Sequence, residues 1–108
     1  MTMARIGGFG DVLYDSGGWT VCSMGHVVFV NVRVSVGSGS WDSSKCPYKL
    51  PAGLRPPSAW RSALTTQNGG STTGVLTVDT DGTISVSNHG SSGSGNARIG
   101  STCFAATR

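Results

Sequence analysis

The chain has 108 residues, a formal net charge of +3, 12% charged residues, 17 glycines and no glutamate. That length holds one domain with a modest core, and the shortage of strong helix formers beside recurrent Val, Thr and Ser excludes a helical protein and predicts an all-β module. The scattered Lys and Arg exclude a nucleic-acid-binding arm, no apolar run reaches the roughly 20 residues that membrane insertion needs, and a 37% hydrophobic share excludes a disordered linker.

Along the chain, residues 1–18 read as a glycine-rich lead-in, or the stump of a preceding stalk, with one short strand candidate around residues 12–14. The domain proper is expected over residues 19–108, beginning with a short strand at residues 19–24. Residues 26–36 carry the clearest periodicity: Val28, Val30, Val32, Val34 and Val36 fall on one face, and Asn31, Arg33 and Ser35 on the other. At about 3.3 Å per residue this strand is roughly 35 Å long. A Gly/Ser run ends it, and residues 41–48 read as a loop. The stretch Leu50-Pro51-Ala52-Gly53-Leu54-Arg55-Pro56-Pro57 is a stiff turn, because its prolines fix φ and push the residues before them to extended geometry. Residues 58–64 resume alternation, with Ala59, Arg61 and Ala63 opposite in sense to Trp60, Ser62 and Leu64. Residues 75–78 and 83–87 are two strands joined across Asp79-Thr80-Asp81-Gly82, where Asp-Gly is a strong hairpin signal. A Gly/Ser loop over residues 88–96 precedes a last strand at residues 97–106. Seven or so short strands predict a two-sheet antiparallel β-sandwich, jelly-roll-like. The three cysteines, Cys22, Cys46 and Cys103, are odd in number and widely spaced, which excludes a closed disulfide framework and favours free thiols.

Three pieces stand in a recognisable order: Leu50-Pro51-Ala52-Gly53-Leu54-Arg55-Pro56, then Gly74-Val75-Leu76-Thr77-Val78-Asp79-Thr80-Asp81-Gly82-Thr83-Ile84, then Ser101-Thr102-Cys103-Phe104. This succession of strand, Pro-rich turn, Gly-punctuated hairpin and closing strand resembles the C-terminal head domain of tailed-bacteriophage tail fibres and receptor-binding proteins, over residues 19–106. The chain departs from that pattern at Cys103-Phe104, where a tyrosine is usual, and in showing no coiled-coil or collagen-like stalk. The resemblance implies a non-enzymatic homotrimeric head at the virion tail tip, assembled in the host cytoplasm. Such a head would contact other tail or baseplate proteins, recognise a bacterial surface saccharide and need no cofactor, nucleic acid or membrane insertion. The trimer is expected to bury part of the Val28 to Val36 face, or the final strand, between protomers. The alternatives are a structural baseplate or decoration module without a receptor, and a glycan depolymerase.

A saccharide site needs an apolar platform for the C–H face of a sugar and polar groups for its hydroxyls. Trp41 with Asp42, Asn88 with His89, and Arg61 beside Trp60 offer these parts. Trp41 lies in a Gly/Ser-flanked loop that leaves exposure and burial equally open, whereas Trp60, in a strand, is expected to be core. Cys22 and His26 would share a strand face but for Gly25 between them, so a metal site is not expected. Glycan hydrolysis needs two carboxylates in one cleft. Of Asp11, Asp15, Asp42, Asp79 and Asp81, the last two are explained by the hairpin turn. Gly93-Ser94-Gly95 is linker-like, and no Gly-x-Ser-x-Gly nucleophile elbow is present.

Overall fold

A computed structural model of the chain describes residues 5–6, 10–37, 39, 41–66, 74–88 and 97–106. The protein is all-β. The described residues form nine strands, β1 (Arg5–Ile6), β2 (Gly10–Ser16), β3 (Trp19–Met24), β4 (Val27–Ser35), β5 (Ser43–Lys45), β6 (Trp60–Thr66), β7 (Gly74–Val78), β8 (Ile84–Ser87) and β9 (Ala97–Ala105), and one 3-10 turn at Ala52–Leu54. Among the described residues no helix is long and apolar enough to cross a membrane.

The strands do not form two separately hydrogen-bonded layers. They make one antiparallel sheet in the order β1-β2-β3-β4-β9-β6-β7-β8-β5, curled into a half-barrel. The hinge of the curl is β6: residues 60–64 pair with β7, while Thr65 and Thr66 pair with Ile99 and Arg98 of β9. One core fills the concave side, drawing Trp19, Val21, Val28, Val30 and Val32 from one arm and Leu64, Leu76, Val78, Ile84 and Val86 from the other. Across the curl, the Thr102 hydroxyl accepts hydrogen bonds from Trp60 Nε1 at 2.9 Å and Ser62 Oγ at 2.7 Å. Gly100 makes room for this closure, because a Cβ there would meet Leu64 Cδ2 at 2.5 Å.

Local sequence explains most elements. β4 alternates strictly between exposed and buried residues, and its stiff β-branched valines suit a pleated, half-buried surface. Its valine face, including Val36, is closed within this chain's own core, which removes it as a surface for protomer contact. Gly25 and His26 form the two-residue turn between β3 and β4; the positive φ of Gly25, 61°, suits the tight turns that match strand twist. Cys22 and His26 therefore do not share a strand, and no group of three or more metal-ligating side chains occurs among the described residues.

The glycine-rich beginning contains more sheet than its composition predicts. The strand candidate at residues 12–14 widens to the whole of β2, paired with β3. A register shift between Val12 and Tyr14 sets Val12 opposite Cys22 and Tyr14 opposite Val21, so two residues that would share a face lie on opposite ones. Tyr14 thereby reaches the core side and stacks on Tyr48, with ring centroids 5.6 Å apart. Residues 41–48, expected to be loop, include β5, which pairs with β8. Trp60, expected in the core, remains 41% exposed, packing against Phe104 with ring centroids 6.2 Å apart.

Burial pushes the Cys46 thiol up, partly opposed by a backbone hydrogen bond from Tyr48, and burial followed by the charge of Cys46 pushes the Tyr48 hydroxyl up. Both acids thus keep their protons longer in the folded chain than in the unfolded one. The stability they contribute is fully present below their unfolded values, near 9.0 for the thiol, and is lost as pH rises through the folded ones. Urea midpoints are expected to fall between about pH 8 and pH 10.5, and less steeply in Cys46→Ala; identical slopes for the two proteins would refute this.

Candidate functional site

On the convex side of the sheet, β3, β4 and β9 form a groove of about 430 Å³, within the range of small-ligand sites. Register builds it in rows. Thr20 lies opposite Asn31 and Asn31 opposite Ser101, giving a polar row; Cys22 lies opposite Phe29 and Phe29 opposite Cys103, giving an apolar row beside it. Asp15 extends the polar row, opposite Thr20, whose hydroxyl donates to the Asp15 carboxylate at 3.3 Å. Met24 widens the apolar side. Phe29 is 36% exposed, so part of its side chain is offered to solvent next to one amide and two hydroxyls. That is the combination a sugar ring asks for: an apolar platform, with donors and acceptors at one edge.

Burial, reinforced by the charge of Asp15, pushes the Cys22 thiol up, so at neutral pH it is a protonated packing group rather than a nucleophile. None of the residues lining the groove is a carboxylate, and paired carboxylates are what glycan hydrolysis requires.

The residues singled out from the sequence lie elsewhere. Trp41 is 70% exposed, in the loop between β4 and β5. Asp42 serves that loop: its carboxylate accepts from the Gly39 N–H at 3.0 Å, and its own N–H donates to the Gly39 carbonyl at 3.2 Å. Asn88 is only 1% exposed. Its amide nitrogen donates to the carbonyls of Gly37 and Gly39, both at 2.7 Å, and its amide oxygen accepts from Arg98 Nη2 at 2.9 Å. The Asn88 N–H also donates to the Asp42 carbonyl at 3.0 Å. Asp42 and Asn88 are thus brought together as fastenings of one loop, above a fully buried arginine. Arg61 is exposed on the convex side of β6, opposite Thr77, apart from that network. His89 lies outside the described residues.

The Pro-rich turn and the β7–β8 hairpin meet in space. The Leu50 N–H donates to the Gly82 carbonyl at 3.0 Å, and Arg55 Nε donates to the Leu50 carbonyl at 2.9 Å. Lys49 pairs with Asp81 at 3.7 Å, and the Thr83 N–H donates to the Asp81 carboxylate at 3.0 Å, the main reason that this carboxyl is held below the usual range. The stiff turn is therefore clasped onto the tip of the β7–β8 hairpin. No family model, no curated protein and no solved structure matches the chain.

Sequence reasoning missed the groove because its rows come from pairing. Phe29 and Asn31 are visible as the exposed phase of β4, but Thr20, Ser101 and Cys103 join them only once β3 and β9 flank that strand.

Proposed function

We propose that this chain is a non-enzymatic receptor-binding head of a tailed-bacteriophage tail tip, holding a bacterial surface saccharide in the β3–β4–β9 groove. The observation that carries the reading is the pairing of rows in that groove: an exposed Phe29 ring flanked by Cys22 and Cys103, alongside Thr20, Asn31 and Ser101. The phage assignment draws on the order of the Pro-rich turn, the hairpin and the closing strand, and on the clasp between Leu50 and Gly82. In this reading the two arms of the curled sheet act as the two layers of a jelly-roll-like head. Protomers assemble as a trimer about a threefold axis. Among the described residues the sheet ends at β1 and β5, two unlike edges that can meet head to tail and close a ring. Weak single sites then act together on a virion through effective concentration.

The test is a polysaccharide array and an adsorption assay on bacterial cells, with sedimentation of the same protein at micromolar concentration. Phe29→Ala is expected to weaken saccharide binding about tenfold, the order of magnitude of one aromatic platform, without shifting the unfolding midpoint by much, since the ring is partly exposed. Asn31→Ala should act in the same direction. Full adsorption by both variants would refute the groove, and a monomer in sedimentation would refute the trimer. A chain that binds no cell or glycan would leave the structural virion module as the better reading.

A further inference from the structure

We propose that the convex face of the β6–β7–β8–β5 arm is a second binding surface, shaped for an acidic polysaccharide. Register sets Arg61 opposite Thr77, Thr77 opposite Ser85 and Ser85 opposite Lys45. All four point away from the core, because they alternate with the buried Leu64, Leu76, Val78, Ile84, Val86 and Cys46. With strands about 4.8 Å apart, the row places two cations roughly 14 Å from each other with two hydroxyls between them. The adjacent row on the same face, Ala63, Val75, Ser87 and Ser43, adds two more hydroxyls.

Within these two rows the charge has one sign. Arg61 and Lys45 are exposed, and neither row contains a carboxylate. The ion pair at the hairpin tip, Lys49 with Asp81, draws on neither of them. Asp79, one alternation beyond Thr77 on the same face, lies outside both rows, where its N–H and carbonyl close the turn to Thr83 and Gly82. Exposed cations attract carboxylates, most of all at low ionic strength, and serine and threonine hydroxyls both donate to and accept from sugar hydroxyls. A glycan with carboxylates along its length matches both features. Nucleic acid matches less well, because two cations set among four hydroxyls are few beside a continuous phosphate track. The inference rests on the saccharide-binding reading of the chain, but on a different arm of the sheet from the groove.

The experiment measures binding of polygalacturonate, neutral dextran and duplex DNA at low ionic strength, where surface charge is least screened. It compares the unmodified chain, the double variant Arg61→Gln/Lys45→Gln, and Phe29→Ala. The expected result is binding of polygalacturonate but not dextran, about tenfold weaker in the double variant and unchanged in Phe29→Ala. Both substituted cations are exposed, and an unaltered thermal midpoint verifies that the double variant is folded. The proposal is overturned if polygalacturonate is not bound, if the double variant binds it equally well, or if DNA binds as tightly through the same two residues. Failure of the groove would show separately, as unchanged cell adsorption by Phe29→Ala.

Discussion

Asn88→Ala is expected to cost about 3–4 kcal/mol of folding stability, seen as a fall in Tm of about 12 °C or more. The side chain makes three hydrogen bonds at 1% exposure. Truncation removes both donors to the Gly37 and Gly39 carbonyls and takes an acceptor from the fully buried Arg98 guanidinium. Buried charge that loses a hydrogen-bond partner is among the costlier defects a small domain can suffer. Asn88→Asp separates the two contributions: its carboxylate still accepts from Arg98 but cannot donate to either carbonyl. This variant is expected to be destabilised by about half as much, with the loss concentrated in the loop. Urea denaturation of the three proteins decides the matter, and a cost below about 1 kcal/mol for Asn88→Ala would mean that other contacts hold the loop.

The second large effect is expected at Gly82. Its φ of 91° is a left-handed conformation that side chains adopt with strain, and a Cβ there would stand 2.6 Å from the Leu50 carbonyl oxygen and 3.0 Å from the Leu50 nitrogen. Both are backbone atoms of the clasped turn, so relief requires the turn to lift from the hairpin, and Gly82→Ala should cost about 2–4 kcal/mol. Gly53, within the Pro-rich turn itself, has nothing within 4 Å of its Cβ position, and Gly53→Ala should be close to neutral. Thermal unfolding of the two variants side by side tests whether Gly82 holds turn and hairpin together. Equal midpoints would refute that role.

Period and turn chemistry made much of the fold legible. The bounds of β3, the alternation of β4 and the hairpin around Asp81-Gly82 follow from residues close in sequence. What was not legible depends on distant partners. One bulge near Leu13 turns Tyr14 toward the core. The insertion of β9 between β4 and β6 makes a single curled sheet where spacing along the chain predicts two layers. The site shows the same division. Asn88, before a Gly/Ser tract, has the look of a loop residue, yet it is buried beside Arg98. The absence of a side chain at Gly74, whose Cβ would come within 3.2 Å of Arg98 Cγ and Cδ, leaves that arginine its space. The aromatic ring of the groove is Phe29, on the strand with the strongest core pattern, where the valines draw attention to the opposite face.

The central place of β9 also bears on how the chain reaches this structure. The hairpins β2–β3–β4 and β6–β7–β8 can each form from neighbouring sequence, but they share no boundary until β9 arrives to pair with both β4 and β6. Closing long loops before contacts reward them makes such steps slow. Assembly therefore has the logic of two half-domains waiting for a zipper, and the docking of that one strand is the expected rate-limiting event.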